Sequence, residues 1–175
     1  MLLGAAFAGL TLSSASAATV YTESTDLSNG AAPTDLTSTF GNFLSDSAVI
    51  GTLSSPGDFS DYFTVQMTPN ASAFIPYEFS DDGSGGTISV NITLSGSSGT
   101  FLGGSVNGSF TSGSSDSGTL NFTVPSDGIV RFNVNHESQS PLINYTVGTV
   151  PEPGTAVLGL AGLAAIALRR RREQA

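Results

Sequence analysis

The sequence contains no cysteine, no tryptophan and no lysine, and only one histidine. Without cysteine the chain has no disulfide, no thiolate nucleophile and no thiolate ligand for a metal. Cations are also few, because five arginines face fourteen acidic residues and four of the five are consecutive, at 169–172. Between residues 18 and 150, twelve carboxylates oppose Arg131 alone, so the net charge there is about −11. Such a surface repels phosphate backbones and argues against a nucleic-acid partner.

The N-terminal stretch MLLGAAFAGLTLSSASA is apolar and ends in small residues. Leu2 to Leu12 has the length of a signal-peptide apolar region, and Ala15-Ser16-Ala17 resembles an A-x-A cleavage site. We therefore predict a signal helix at 1–17, cleaved after Ala17, and an exported chain. No basic residue precedes the apolar run, so the start lies upstream of Met1 or the signal is weak. The alternative is a buried N-terminal helix.

The stretch from Val150 to Ala175 reads VPEPGTAVLGLAGLAAIALRRRREQA. Its two prolines end any preceding strand, and residues 155–168 carry no charge. A helix of fourteen residues covers about 21 Å, less than the ~30 Å hydrocarbon core of a bilayer. With residues 153–154 and snorkelling arginines it spans a membrane marginally. The positive-inside rule places the arginine cluster in the cytoplasm.

This order of elements resembles the PEP-CTERM sorting signal of Gram-negative bacteria. In that family an exosortase, a membrane enzyme of the cysteine transpeptidase type, processes the signal. The resemblance implies that Pro151, Glu152 and Pro153 are the recognition motif and that the apolar segment is a transient inner-membrane anchor. It also implies that Arg169, Arg170, Arg171 and Arg172 are the cytoplasmic stop. The family is linked to biofilm and exopolysaccharide production and to a cell-surface or extracellular fate. An anchor that is never cut is the alternative.

Between these two ends the pattern is one of short β-strands. Apolar and polar residues alternate in segments 48–53, 62–67, 87–94, 119–124, 129–135 and 143–150, separated by Gly, Ser and Asp. In segment 87–94 the predicted inward residues are Ile88, Val90, Ile92 and Leu94. Six to nine such strands predict an all-β protein with an antiparallel β-sandwich at 48–150, which the second resemblance given below implies is jelly-roll-like. Residues 18–47 form a polar N-terminal segment before it.

Several positions carry more specific expectations. Pro76 lies in segment 73–79 and predicts an edge strand or a bulge, because proline cannot donate to a ladder. The stretch TSGSSDSG at 111–118 predicts a loop. In the polar N-terminal segment, which begins with a short strand near Val20, Phe40, Phe43 and Leu44 are the expected core residues.

Three segments of the body resemble the bacterial pre-peptidase C-terminal domain. They read GTLSSPGDFSDYFTV at 51–65, GTLNFTVPSDGIVRFNVN at 118–135 and INYTVGTV at 143–150. That family is a small jelly-roll-like β-sandwich appended to secreted peptidases and other surface proteins. The resemblance implies the same fold and a role in binding carbohydrate or peptide. The chain departs from the family at residues 129–132, where aromatic residues are usual.

Two acidic clusters are candidates for a Ca²⁺ site. Asp58 and Asp61 flank Phe59-Ser60, and Asp81-Asp82 precedes a glycine. Calcium takes six to eight oxygen ligands at flexible geometry, so oxygen-rich turns suit it. Neither cluster has the spacing of a known calcium loop, and Asp and Gly also occupy turns for conformational reasons. The structural interpretation is favoured over the metal site, and no other cofactor is expected.

No catalytic motif appears in the sequence. His136 follows a strand and is expected at the surface, because a Ser-His-acid triad needs groups that converge from separate positions. Sugar stacking favours an exposed Trp or Tyr, and Tyr62 and Tyr145 lie in strands where packing is the simpler role. Paired-carboxylate hydrolysis finds no supporting feature.

These observations favour a non-enzymatic surface or matrix protein. Its expected partners are an exosortase-type enzyme, the membrane during sorting, and polysaccharide or matrix proteins. The alternatives are a carbohydrate- or peptide-binding module of the pre-peptidase type and a hydrolase with an unrecognised site. An exposed aromatic row on one sheet face would favour the binding module, and buried carboxylates in a cleft would favour the hydrolase.

Overall fold

The structure, a computed structural model, describes residues 19–24, 27–28, 32–43, 47–54, 57–81, 83, 86–136 and 142–148. The predicted signal helix and the C-terminal apolar helix lie outside these ranges. Within them, no helix is long and apolar enough to cross a membrane. The elements are β1 (Val20–Thr22), β2 (Thr34–Asp35), α1 (Thr37–Phe40), β3 (Ala48–Leu53), β4 (Ser60–Gln66), β5 (Ser72–Asp81), β6 (Thr87–Gly96), β7 (Val106–Thr111), β8 (Ser115–Thr123), β9 (Ile129–His136) and β10 (Ile143–Gly148). The prediction of a mostly-β chain is confirmed.

The strands form two five-stranded sheets. Sheet 1 has the order β1-β3-β10-β5-β8, and sheet 2 has the order β2-β4-β9-β6-β7. Neighbouring strands are antiparallel except for β1 with β3 and β2 with β4, which are parallel. The sheets are therefore mixed, and the prediction of purely antiparallel sheets was wrong at these two edges. Between β1 and β3 the chain passes through β2 in the other sheet, a crossover of the length that parallel pairing needs.

The inner faces of both sheets contribute to one hydrophobic cluster. Strand β6 shows why, because the predicted inward residues Ile88, Val90, Ile92 and Leu94 are all buried. Successive side chains in a strand point to opposite faces, so the period-2 pattern buries one face of each strand. In the adjacent strand β9, Phe132 stacks on Phe63 of β4 with ring centroids 5.1 Å apart.

The polar N-terminal segment adds an edge strand to each sheet and apolar residues to the core. Phe40 and Phe43 are buried as predicted, and their rings meet edge to face at 4.9 Å. Leu44 lies outside the described residues. Leu27 and Leu36 are also buried, so the expectation of only three core residues in this segment was wrong. Each is an isolated leucine among polar residues, where no periodicity indicates burial.

Strand β5 is not an edge strand, although it contains Pro76. It pairs with β8 on one side and with β10 on the other. The ladder to β10 ends at the pair Tyr77 with Val147, one residue short of Pro76. Because no β10 residue is paired with the proline, its missing N–H removes no ladder bond on that side. The predicted edge position was wrong.

The stretch 111–118, predicted as a loop, contains a short turn at 112–114 and strand residues on both sides of it. Strand β7 ends at Thr111 and β8 begins at Ser115, and the chain passes from sheet 2 to sheet 1 between them. Gly113 has φ +82°, a value that favours glycine in a tight turn. The low strand propensity of Ser, Gly and Asp is outweighed by pairing of 115–118 with β5.

Candidate functional site

The predicted sorting residues lie outside the described part of the chain. This holds for Pro151, Glu152 and Pro153, for the arginine cluster 169–172 and for the predicted cleavage residues Ala15 and Ala17. The described residues contain two other regions with chemistry of interest. One is a buried polar cluster between the sheets, and the other is the outer face of sheet 2.

The buried polar cluster forms where β4 begins. Asp61 lies on the inward side of β4, in phase with Phe63 and Val65, and its side chain is 0% exposed. Tyr145 of β10 is 1% exposed, and its ring lies over Gly51, its partner on β3. A Cβ at position 51 would lie less than 3.0 Å from the tyrosine ring. The glycine therefore makes the space that lets a tyrosine enter the core.

Carboxylates surround the Tyr145 hydroxyl and hold it in its neutral form. Burial is the largest cause that raises the pKa of Tyr145 far above its ordinary value, and the adjacent Asp61 carboxylate is the next. Glu23 and Asp58 act in the same direction as smaller causes. A negative phenolate beside these carboxylates is strongly disfavoured, so the phenol stays a neutral donor in the core.

Glu23 was not singled out from the sequence, although its carboxylate connects the N-terminal segment to strand β3 by hydrogen bonds. Its carboxylate accepts hydrogen bonds from the backbone N–H of Leu27 at 2.7 Å and of Thr52 at 2.9 Å. Nothing in the polar stretch around it distinguishes it from its neighbours. Only the pairing of β1 with β3 brings it to Thr52.

The predicted calcium residues do not converge on one site in the described structure. Asp58 and Asp61 lie in the cluster around Tyr145, whereas Asp81 anchors a separate turn. The Asp81 carboxylate accepts from Gly113 N–H at 2.7 Å and Gly83 N–H at 3.2 Å. Asp82 lies outside the described residues. No three His, Asp or Glu side chains within the described ranges are grouped as metal ligands. The calcium hypothesis stays a prediction.

His136 is buried, so the prediction of a surface position was wrong. Strand β9 extends through residue 136, and the alternation that buries Val134 also turns the imidazole inward. The side chain is 3% exposed, and its ring lies 5.3 Å from that of Phe59. Neither ring nitrogen has a hydrogen-bond partner in the described part of the chain.

The outer face of sheet 2 carries rows of amide and hydroxyl side chains. Cross-strand pairing aligns one row over four strands, namely Ser60, Asn135, Asn91 and Asn107. A second row comprises Tyr62, Asn133 and Thr93. A third row contains Arg131, Ser95 and Phe101, which pairs with Ser95 through an isolated β-bridge. We call these ten residues the amide face. Sequence reasoning assigned Asn91 and Thr93 to an outer face but did not see that four strands share this composition.

Part of the amide face forms a shallow depression of about 320 Å³, lined by Ser89, Asn91, Asn107 and Ser109. Within it the Asn91 side-chain amide nitrogen donates to the side-chain oxygen Oδ1 of Asn107. The Thr93 hydroxyl donates to the Asn91 oxygen at 2.7 Å. By contrast, the side-chain oxygens of Asn133 and Asn135 are buried and have no hydrogen-bond partner among the described residues.

The outer face of sheet 1 differs in charge and in its aromatic residue. It carries the exposed carboxylate of Glu78 and the ring of Phe74, which is 66% exposed. A depression of about 500 Å³ lies beside Pro76 and Glu78. One exposed ring is not the aromatic row that would mark a stacking platform for sugars on this face.

Comparison with known proteins identifies one region of the chain. No curated protein matches the sequence significantly. The family model of the PEP-CTERM protein-sorting motif matches residues 149–172. The match includes the Pro-Glu-Pro triplet, the uncharged stretch and the four arginines, as the sequence predicts. The chain therefore carries a PEP-CTERM protein-sorting motif at residues 149–172.

Proposed function

We propose that this chain is a non-enzymatic cell-surface or extracellular-matrix protein whose C-terminal signal is processed by an exosortase. The sorting motif at residues 149–172 is the observation that carries the proposal. The motif implies export, a transient membrane anchor and then a surface location. The composition supports the final destination, because an acidic, cysteine-free body suits a hydrated matrix outside the cell. Association with biofilm or exopolysaccharide belongs to this proposal.

The body presented at the surface is, we infer, a jelly-roll β-sandwich. The orders β3-β10-β5-β8 and β4-β9-β6-β7 support this topology. From β3 to β10, each connection passes to the other sheet except the one between β6 and β7. Two interleaved four-stranded sheets of this kind are the arrangement of double-sheet jelly rolls.

A structural role for the carboxylates supports the absence of catalysis in this proposal. Glu23 and Asp81 each accept a backbone N–H from a loop or turn, and Asp35 and Asp127 accept from the first residue of α1 and of β9. A carboxylate that accepts backbone N–H groups in this way stabilises the fold. Catalytic acids and bases are instead placed where a substrate can reach them.

Intact mass of the protein recovered from its host, separately from envelope and medium, tests the sorting. A chain that begins near Ala18 and ends near the Pro-Glu-Pro triplet is the expected result. Replacement of residues 151–153 by alanine should leave the tail attached. Glu173→Ala, outside the matched residues, is the control and should be processed normally. Wild-type protein that retains residues 169–172 in every fraction would overturn the proposal.

The alternative function is a carbohydrate- or peptide-binding module of the pre-peptidase C-terminal type. The segments that carry this resemblance lie side by side, since β3 is next to β10 in sheet 1 and β4 is next to β9 in sheet 2. The amide face provides a surface on which such binding would occur. The two functions are compatible, because a matrix protein can act by holding matrix polymers.

A further inference from the structure

The amide face is free of carboxylates, although the chain has fourteen acidic and five basic residues. The outward residues of β4, β9, β6 and β7 are uncharged except for Arg131. The carboxylates of this sheet lie elsewhere: Asp61 of β4 is buried on the inner face, and Asp35 lies on the edge strand β2, where it accepts from Thr37 N–H at 2.9 Å. At the Arg131 end, Asp127 of the turn before β9 accepts from the Ser97 hydroxyl and from Ile129 N–H. Acidic residues are thus kept off one surface of an otherwise acidic protein.

Arg131 is the only cation outside the terminal cluster, and it lies on this face. No ion pair to it is present among the described residues. Hydrogen bonds, first from the Ser97 hydroxyl and then from Ile129 N–H, lower the pKa of Asp127, and the charge of Arg131 is the smallest of the causes acting on that carboxyl. The Nε of Arg131 is buried and has no hydrogen-bond partner in the described structure. An arginine placed in this way is available to a negatively charged ligand.

Strand propensity does not explain the two outward asparagines of β9, Asn133 and Asn135. Asparagine is depleted in strands, and Thr or Val suits a pleated surface better. The side-chain oxygens of Asn133 and Asn135 are buried without a partner within the described ranges, and an unmade hydrogen bond of this kind is unfavourable. Asparagine χ2 is broad, so a modest rotation turns each oxygen towards an incoming donor. Two such residues, adjacent on one face of one strand, indicate a ligand.

The dimensions and chemistry of the face fit an extended glycan. A row across four strands spans roughly 14 Å, since neighbouring strands lie about 4.8 Å apart. Amides present both a donor and an acceptor, as neighbouring sugar hydroxyls do. Tyr62 lies within the face, and Phe101, 56% exposed, lies at the Arg131 end. Aromatic rings contact the C–H face of a sugar, while its hydroxyls meet the amides.

We propose that the amide face binds a polysaccharide chain, with hydroxyls on Asn133 and Asn135 and a sugar carboxylate on Arg131. This inference rests on the proposed matrix role, because it names the ligand of that role. A carboxylated glycan suits the face better than a neutral one, since the single cation lies beside the polar rows. Repulsion by the acidic remainder of the chain keeps the polyanion on this face alone.

The test is a binding titration of the full-length chain in mild detergent. The probes are oligogalacturonate, a neutral glucan oligomer of equal length, and poly-glutamate of equal charge. We expect the double variant Asn133→Thr/Asn135→Thr to weaken oligogalacturonate binding by about tenfold or more. Its unfolding temperature should be equal to or above that of the wild type, since threonine suits a strand. Loss of binding with no loss of stability is the result that a merely structural role cannot give.

Matched controls lie on the other sheet. Asn121 and Asn144 are exposed asparagines on the outer face of sheet 1, so Asn121→Thr/Asn144→Thr should change binding by less than about twofold. Arg131→Gln should weaken oligogalacturonate binding about tenfold and leave glucan binding unchanged, because only the ionic contact is removed.

Three outcomes overturn the inference. They are equal binding of poly-glutamate, equal loss in the sheet 1 variant, and no binding of either sugar polymer. Binding of a host protein at this face, with no sugar binding, has the same meaning. If the chain is exported and cleaved but binds no glycan, this inference fails and the proposed function stands. If residues 169–172 are retained in the host, the proposed function fails whatever the titration shows.

Discussion

The two sheets have five strands each, but they fill their inner faces in different ways. Phe132 of sheet 2 is the centre of a phenylalanine cluster with Phe63 of the same sheet, and Phe43 and Phe122 contact it from the N-terminal segment and from sheet 1. Sheet 1 places tyrosines over glycines, Tyr145 over Gly51 and Tyr77 over Gly118. The phenylalanine rings do not titrate, although sheet 2 also buries Asp61 and His136 on its inner face. The tyrosine pairs bring a hydroxyl into the core, so sheet 1 depends on the neutral state of its phenols.

The outer faces of the two sheets differ in the side chains that they expose. Sheet 1 exposes Glu78 and the ring of Phe74, whereas strands β4, β9, β6 and β7 of sheet 2 expose amides, hydroxyls and Arg131. Packing accounts for the inner face of sheet 2, but packing gives no reason for asparagines on its solvent side.

The largest expected effect is in sheet 2. Phe132→Ala removes a fully buried ring from the centre of the phenylalanine cluster and should lower the free energy of unfolding by about 3–5 kcal/mol. Chemical denaturation measures it. Phe101→Ala, on the outer face of the same sheet, is the control and should change stability by less than about 0.5 kcal/mol. Similar values for both would mean that the cluster is not the core of sheet 2.

The next effect is in sheet 1. Gly51→Ala places a Cβ against the buried Tyr145 ring and should cost about 1–3 kcal/mol through overpacking. Gly118→Ala meets Tyr77, whose ring is nearer to solvent and can move, so its cost should be smaller. Thermal unfolding of the two variants gives the order. A reversed order would contradict the view that Tyr145 is the more tightly enclosed tyrosine.

A third effect distinguishes the sheets by pH. The pKa of Tyr145 is raised in the folded state, first by burial and then by Asp61, so the unfolded chain loses this proton first. Stability should be fully present below pH about 10 and should fall as pH rises above it. Tyr145→Phe should remove most of that alkaline slope, and Tyr77→Phe less. An unchanged slope in Tyr145→Phe would show that another group governs alkaline unfolding.

The smallest expected effect is at the turn between the sheets. Hydrogen bonds from Ser112 and Gly113 lower the pKa of Asp81 below its ordinary value. The stabilisation is therefore present above pH about 4 and is lost as pH falls and the carboxyl is protonated. Asp81→Asn should flatten the acid side of a stability–pH profile without changing its alkaline side. An alkaline change would argue that this turn is coupled to the tyrosine cluster.

Much of the fold was predictable, because strands with one buried face have a period of two. Segment 48–53 matches β3, and the inward residues of β6 were identified by alternation. The failures occurred where pairing overrides local preference. Residues 115–118 form a strand because β5 pairs with them, and Pro76 is tolerated because the β10 ladder stops before it. The burial of Leu27 and Leu36 was not predictable, because no alternation of apolar and polar residues surrounds either leucine.

The candidate site was less predictable than the fold. A single strand shows that Asn91 and Thr93 face outward, but it cannot show which residues lie beside them. The amide face arises from four strands whose order along the chain is β4, β6, β7, β9 and whose order in space is β4, β9, β6, β7. Likewise, Asp61 was a turn residue by sequence and became a buried neighbour of Tyr145 only through packing of the two sheets.

The sequence alone determined the sorting motif, the acidic character of the body and its strand content. Each of these features depends on a contiguous stretch of sequence or on the overall composition, so no long-range contact is needed to recognise it. Tertiary structure decided the mixed pairing at both sheet edges, the burial of Asp61 and His136, and the alignment of asparagines across sheet 2. These features depend on which distant strands become neighbours, and hydrophobic burial over the whole chain sets that choice.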